Sequence, residues 1–305
     1  EALRLDPGAT TTLRGELGRA LDHLNRASSG ALFIAAADLL GSTSVDAGGA
    51  GFSPGFFNAR SNPDARLIAV GGICEDAMSA VMAGLASAGR HLGVASSYGA
   101  FMAPLGHIAA RLHAIGQQAR QEVAPGPFRP FLLVLAHAGL ATGEDGPTHA
   151  DPQALQLLQE NFPRGALVTL TPWDPGEVWP LLAEALLRRP AVIAPVVTRP
   201  GQAAPDRAVL GLAPADDARR GVYRLRSATG APDATVVLQG SEVTCAFVDD
   251  ALPLLARDGL DVEAFYVASA ELFDLRPPGE QEAIFPDAVA RRAMGITGFT
   301  LPTLY

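Results

Sequence analysis

A continuous apolar run at residues 131–136, Phe-Leu-Leu-Val-Leu-Ala, constrains the fold of this chain more than any other feature. Apolar residues without alternation fit a strand that is buried on both faces, as in a parallel sheet covered by helices. Similar runs stand at residues 31–37 and 191–198, with stretches of helical periodicity between them. We therefore predict an α/β fold with a mostly parallel sheet and helices on both faces.

The domain organisation follows from composition. Residues 200–221 are rich in Pro, Gly and Asp and predict a linker. Residues 1–199 then form the first domain. Residues 222–305 begin with a strand, strand, helix, strand pattern, which predicts a smaller α/β domain.

Charge and hydropathy exclude several classes of partner. A net charge of −9 argues against nucleic acid and anionic membranes, because both require a basic patch. The sequence has no signal peptide and no run of 18 apolar residues, so we expect a cytoplasmic chain without a membrane span. Because it does not start with Met, we expect it to begin inside a longer gene product.

All 23 basic residues are arginine, and the absence of lysine excludes several kinds of site. A Walker P-loop, a pyridoxal Schiff base and a lysine-dependent aldolase each need a lysine that this chain does not have. Carbonyl chemistry would therefore require a cofactor or a metal.

A polar segment at residues 137–149 follows the central apolar run. The carboxyl ends of parallel strands are where open α/β sheets place ligands, so His137, Asp145 and His149 predict a polar substrate cradle. A rigid turn in which Asp145 caps local amides remains an alternative. We predict no metal site, because no further Cys or His cluster accompanies these residues.

Two more segments place polar residues after predicted strands. Asp38 and Ser42 follow the run at residues 31–37, and ordinary turn or cap chemistry is the alternative for both. A strand predicted at residues 67–70 leads to a helix with Glu75 in its first turn. The alternative for Glu75 is structural, because the helix macrodipole favours a carboxylate in the first turn of any helix.

These segments together resemble transketolases, and the resemblance covers most of the chain. Gly-Glu-Asp-Gly-Pro-Thr-His at residues 143–149 is a specific motif of that family. Gly-Ile-Cys-Glu-Asp-Ala-Met at residues 72–78 resembles its Gly-Ile-Arg-Glu-His-Ala-Met motif, and Gln-Gly-Ser-Glu-Val at residues 239–243 resembles Thr-Gly-Ser-Glu-Val of its C-terminal domain. The resemblance implies a pyrimidine-binding domain followed by part of a C-terminal domain.

The resemblance also implies thiamine diphosphate as cofactor. In that family the Glu of the second motif hydrogen-bonds the aminopyrimidine ring and so activates the cofactor, which gives Glu75 this role. The best candidate for an aromatic residue that packs against this ring is Phe101, followed by Tyr98. The alternative is that this aromatic residue simply packs in the core. Asp38 would lie near the cofactor. Cys74 and Asp76 replace the family's Arg and His, which puts the contacts around Glu75 in doubt.

The substrate residues implied by the resemblance lie around the same site. Arg14, Ser42 and Arg199 would hold the phosphate of a sugar phosphate. His137 and His149 would handle substrate hydroxyls and protons, and Asp145 would select the hydroxyl configuration. The alternative to phosphate binding is that Arg14 is an ordinary solvent-exposed arginine of a helix. For Arg199 the alternative is that it is a surface residue of the linker.

The implied activity is transfer of a two-carbon ketol unit between ketose and aldose phosphates. The family's Gly-Asp-Gly segment, which binds the diphosphate and its Mg²⁺, is missing here. We therefore expect a diphosphate-binding domain or subunit as partner, in a homodimer or heterotetramer. Two alternatives stay open: a non-catalytic binding or assembly subunit, and an enzyme similar to 1-deoxyxylulose-phosphate synthase.

Overall fold

The computed structural model describes residues 2–123, 126 and 128–304, without the side chains of residues 144 and 145. The strands are β1 (Thr10–Thr12), β2 (Leu32–Ala36), β3 (Leu92–Tyr98), β4 (Phe131–Ala136), β5 (Leu167–Leu170), β6 (Val192–Val197), β7 (Gly201–Ala203), β8 (Val222–Arg226), β9 (Ala234–Gln239), β10 (Val262–Val267) and β11 (Met294–Thr297). The helices are α1 (Leu13–Ala27), α2 (Glu75–Ser87), α3 (Gly99–Glu122), α4 (Ala154–Gln159), α5 (Val178–Arg188), α6 (Ser241–Ala246), α7 (Leu252–Arg257), α8 (Ala270–Asp274), α9 (Pro278–Ile284) and α10 (Asp287–Ala290).

The main sheet is parallel throughout, in the order β2-β3-β4-β6-β5. Alternate residues of each strand enter two different cores: Leu32 and Ile34 pack on the face covered by α1 and α5, while Phe33 and Ala35 pack on the face covered by α2, α3 and α4. Because both faces are buried, the strands are apolar without alternation. The predicted parallel sheet with helices on both faces is confirmed.

A second and smaller sheet has the order β11-β9-β10-β8, in which β8 runs antiparallel to β10. It matches the expected smaller α/β unit, and α6 and α7 form one helical segment joined by a π-helical turn at Phe247–Ala251. The predicted linker contains regular structure, because β7 pairs with β1 and brings Gly201 opposite Thr12, and Ala215–Arg220 forms a 3₁₀ helix. The domain limits drawn from composition stay a prediction.

The strand predicted at residues 67–70 is wrong. Leu67 forms only isolated bridges, one with Phe56 and one with Ile34 at the edge of β2. Two hydrogen bonds bracket that bridge, from Ile34 N to Arg66 O and from Ile68 N to Ile34 O, and the chain then leaves the sheet. Gly71, with a φ of +83°, turns the backbone towards α2.

Within the described parts of the chain, no helix combines the length and the apolar character needed to cross a membrane.

Candidate functional site

The carboxyl edge of the main sheet collects four of the predicted site residues. Asp38, Tyr98, His137 and Arg199 stand at or just after the ends of β2, β3, β4 and β6. These strands are parallel neighbours, so their ends share one edge. Asp38 (φ +61°) and His137 (φ +54°) adopt the left-handed conformation, which non-glycine residues rarely take. Such strain concentrates at functional sites.

Glu75 is the first residue of α2, and its side chain is buried. Its Oε1 accepts a hydrogen bond of 2.9 Å from Ser97 Oγ at the end of β3. Ser97 therefore fixes the carboxylate at the carboxyl end of β3. Sequence reasoning missed Ser97, although a hydroxyl near the end of an apolar strand was the available signal.

Tyr98 lies at the centre of a group of rings that includes both predicted histidines. The imidazole of His137 stacks on Tyr98 at 4.0 Å, and His149 meets Tyr98 edge-on at 5.3 Å. Phe101 lies roughly parallel to Tyr98 at 6.4 Å and also contacts the edge of His149. Phe101 is 41% exposed whereas Tyr98 is 8% exposed, so Phe101 is the ring that is more open to a ligand.

Arg14 joins the start of α1 to this group. Its guanidinium donates to the main-chain carbonyl of Ser42 and, at 3.0 Å, to Nε2 of His137. Because a guanidinium can only donate, Nε2 accepts here and a neutral His137 carries its proton on Nδ1. For Ser42 the described contacts involve the carbonyl oxygen, which also lies 3.3 Å from His137 Nε2.

Arg199 packs against the segment that bears His149. Its Cδ lies 3.5 Å from the point where a Cβ would stand on Gly143, whose φ is +64°. Gly143–Thr148 forms a 3₁₀ turn, and Thr142 Oγ1 donates to the carbonyl of Gly146 at 2.8 Å. The side chain of Asp145 lies outside the described residues, so its predicted role stays a prediction.

A cavity of about 590 Å³ opens beside Asp38. Asp38, Gly41, Phe56, Gly71 and Gly72 are among the residues that line it. Gly71 and Gly72 stand four and three residues before Glu75, so the segment that leads into α2 faces the same space as Asp38. The edge of the sheet thus combines a cavity, a buried carboxylate, exposed aromatic surface and two imidazoles.

The family of this chain follows from a comparison with known proteins. Residues 10–198 match the model of the family described as transketolase, pyrimidine binding domain. The chain belongs to this transketolase family. The transketolase of Geobacillus stearothermophilus is 32% identical over 167 residues, which are 53% of this chain and 24% of that protein. Transketolase 1 of Pasteurella multocida is 29% identical over 227 residues, which are 72% of this chain and 30% of that protein.

Solved structures give the same fold. The transketolase from Leishmania mexicana superposes with a TM-score of 0.78 at 24% identity, covering 97% of this chain and 40% of that one. A structure titled "Split gene transketolase, inactive beta4 tetramer" superposes with a TM-score of 0.60 at 18% identity and covers 94% of this chain and 78% of that one. This chain therefore spans less than a third of the two curated relatives, but most of the split-gene chain.

The thiamine diphosphate implied by the transketolase family fits this chain at its aminopyrimidine end. A buried carboxylate accepts from a ring N–H, and an aromatic face stacks on a flat heterocycle, so Glu75 and Phe101 suit the aminopyrimidine. No group of three or more His, Cys, Asp or Glu side chains comes together among the described residues.

The two departures from the transketolase motif interact with each other. Cys74 Sγ donates to Asp76 Oδ1 at 3.2 Å, and this hydrogen bond lowers the pKa of Asp76. Asp76 is exposed, whereas Glu75 is turned inward. The departures therefore leave the Glu75–Ser97 contact in place.

Proposed function

We propose that this chain supplies the pyrimidine-binding part of a thiamine-diphosphate enzyme that transfers a two-carbon ketol unit from a ketose phosphate to an aldose phosphate. The observation that carries the proposal is the buried Glu75 carboxylate, which Ser97 holds at the carboxyl end of β3. A buried acceptor in this place holds the proton-bearing nitrogen of a bound aminopyrimidine.

Thiamine diphosphate, once bound, stabilises the negative charge that develops on carbon during such transfers. In our proposal Glu75 orients the aminopyrimidine and holds a proton at its ring nitrogen. Phe101 covers one face of the ring, with Tyr98 behind it, and Asp38 closes the adjoining cavity. We assign the diphosphate and Mg²⁺ to a separate domain or subunit.

The substrate end of the proposed site is formed by the imidazoles and arginines. His149 and His137 flank Tyr98, where they would exchange protons with sugar hydroxyls. Arg14 and Arg199 would bind the phosphate, because a guanidinium matches its oxygens bidentately. Ser42 would join them, and Asp145 would select the hydroxyl configuration.

We further propose that the diphosphate-binding partner lies against an apolar stripe on α3. The stripe consists of exposed residues spaced three or four apart along one helical face: Phe101, Leu105, Ile108, Leu112 and Ile115. Ile108 and Leu112 are 63% and 64% exposed, and contiguous exposed apolar surface is typical of an interface. Phe101 belongs to both the stripe and the group of rings around Tyr98, so a chain on the stripe would border the candidate site.

The split-gene relative, by its title, forms an inactive tetramer of β chains. An isolated pyrimidine-binding chain of our protein would likewise need its partner for activity, in a dimer or heterotetramer. The cytoplasmic location stays a prediction.

The experiment compares three versions of the native assembly: wild type, Glu75→Gln and Glu271→Gln. Each is titrated with thiamine diphosphate and Mg²⁺ and assayed for ketol transfer between a ketose phosphate and an aldose phosphate. We expect Glu75→Gln to lower turnover by about 10²–10⁴-fold, as for other positioned proton-transfer groups. Glu271, a buried carboxylate on α8, is the matched control and should leave turnover nearly unchanged.

A wild-type assembly that binds the cofactor but transfers no ketol unit would contradict the proposal. A product released without an aldose acceptor would instead indicate chemistry similar to that of 1-deoxyxylulose-phosphate synthase. Saturable assembly without cofactor binding would indicate a non-catalytic assembly subunit.

A further inference from the structure

The segment that bears both histidines contacts the second sheet unit at two places. Leu140 N, three residues after His137, donates to Glu242 Oε1 on α6 at 3.1 Å. Thr300 N, just beyond β11, donates to the carbonyl of Pro152 at 3.2 Å. Both contacts reach from the C-terminal unit into the carboxyl edge of the main sheet.

These two contacts flank the base of the histidine-bearing loop. Gly139 and Asp151 form an isolated antiparallel bridge that closes the loop, two residues after His137 and two after His149. Glu242 binds Leu140, which follows Gly139 of the bridge, and Thr300 binds Pro152, which follows Asp151. The positions of the two imidazoles therefore depend on the C-terminal unit as well as on β4.

The backbone around Glu242 leaves space for its carboxylate. A Cβ on Gly298 would lie 2.0 Å from Glu242 Oε1, and one on Gly139 would lie 3.1 Å from it. Gly240, with a φ of +104°, turns the chain from β9 into α6 just before Glu242. Glu242 is half-buried, and this burial raises the pKa of its carboxyl group.

From this geometry we propose that Glu242 is a positioning residue, which holds the histidine-bearing loop in register with the sugar-phosphate site. The effect of Glu242 on sugar-phosphate binding rests on the proposed function. The contact between Glu242 and the loop is independent of it. It gives the C-terminal unit a direct effect on the site, through one hydrogen bond to a backbone N–H.

The first measurement is hydrogen exchange on the full chain, without any partner. We expect Glu242→Ala to speed exchange in residues 138–152 by about tenfold to a hundredfold, because a hydrogen bond to a carboxylate is lost. Glu242→Gln keeps an acceptor oxygen and should restore near wild-type exchange. Gly298→Ala should loosen the loop as Glu242→Ala does, because its methyl group would displace the carboxylate.

Glu271→Ala is the matched control. Glu271 is also a buried carboxylate of the C-terminal unit that accepts from a backbone N–H of the main sheet unit, but its partner is Thr169 on β5. We expect this variant to speed exchange near residues 167–170 and to leave residues 138–152 unchanged. Equal loosening of residues 138–152 by both alanine variants would overturn the proposal, as would unchanged exchange there in Glu242→Ala.

The second measurement uses the assembled enzyme. We expect Glu242→Ala to raise KM for the sugar phosphates about tenfold while thiamine diphosphate affinity stays the same, with rescue by Glu242→Gln. Equal losses in cofactor and sugar-phosphate binding would contradict a positioning role. If the wild-type assembly transfers no ketol unit, the proposed function fails, and hydrogen exchange alone decides whether Glu242 positions the loop.

Discussion

Two polar clusters in this molecule are built on opposite principles. The first is the candidate site around Tyr98. The second, which we name the junction cluster, comprises Trp173, Asp174, Glu177, Arg207 and Tyr223 and joins the two sheet units. Arg207 pairs with both carboxylates, Tyr223 donates to Glu177, and Trp173 Nε1 donates to the Tyr223 hydroxyl at 3.0 Å.

The difference between the clusters lies in what their polar groups contact. In the junction cluster the polar groups bind one another inside the protein, and the Arg207 guanidinium also packs over Trp173 at 4.9 Å. At the site, His137 and Asp38 are held in left-handed conformations and Phe101 remains exposed. A closed network stabilises the docking of two units, whereas an open and strained one is suited to a ligand.

The largest effect on stability should come from breaking the junction cluster. Arg207→Met leaves two buried carboxylates without their cation, so we expect the free energy of unfolding to fall by about 3–5 kcal/mol. Denaturant unfolding measures the loss. Arg257→Met is the control, because its ion pair with Asp258 is exposed and should contribute less than about 1 kcal/mol. Similar losses in the two variants would contradict the contrast between the clusters.

The junction cluster should also make the stability of the protein depend on pH. Burial raises the pKa of Glu177 from 4.5 to about 7, against the opposing effect of Arg207. Between these values the folded state keeps a proton that the unfolded state has released, so this group lowers stability as the pH rises. Its contribution over that window should be about 3 kcal/mol.

Glu177→Gln removes this titration but retains a hydrogen-bonding side chain. We expect the difference in unfolding free energy between wild type and variant to shift in favour of the variant as the pH rises from 4.5 to about 7, and to stay level above that window. Denaturant unfolding at several pH values tests this. Parallel curves for the two proteins would show that Glu177 does not titrate in this range.

Relief of strain at the site should have a smaller effect of the opposite sign. Asp38→Gly replaces an exposed residue at a φ of +61°, so we expect the free energy of unfolding to rise by about 0.5–1 kcal/mol. Asp64→Gly, at an exposed position without a positive φ, should instead lower it by about 0.4–1 kcal/mol. A loss of stability in Asp38→Gly would mean that Asp38 contributes contacts worth more than its strain.

The smallest effect on stability should come from the apolar stripe on α3. Leu112→Ser changes an exposed side chain, so the free energy of unfolding of the isolated chain should stay within about 0.5 kcal/mol of wild type. Assembly with the diphosphate-binding partner, measured by analytical ultracentrifugation, should nevertheless weaken. Leu187→Ser is the control, since Leu187 is 70% exposed on α5, away from the stripe. Unchanged assembly in Leu112→Ser would exclude this part of the stripe from the interface.

Residues with local signals were placed well from the sequence. The apolar run at residues 131–136 is β4 from end to end, and Glu75 is the first residue of α2. The prediction of a strand at residues 67–70 failed because strand propensity is not enough without pairing. A strand forms only where a neighbouring strand pairs along it, and here the pairing with β2 is limited to Ile34. Ser97 and Glu242 were missed because neither a hydroxyl near a strand end nor a glutamate in a short motif indicates which distant residue the side chain contacts.

What the sequence determined by itself is therefore the parallel α/β fold, the family, and the segments that end at the site. These depend on burial patterns and short motifs, which are properties of contiguous residues. Only the tertiary structure decided that Arg14 contacts His137, 123 positions further on, and that Glu242 reaches Leu140, 102 positions before it. Such contacts are formed by the packing of separate elements, so their geometry is not contained in any local pattern.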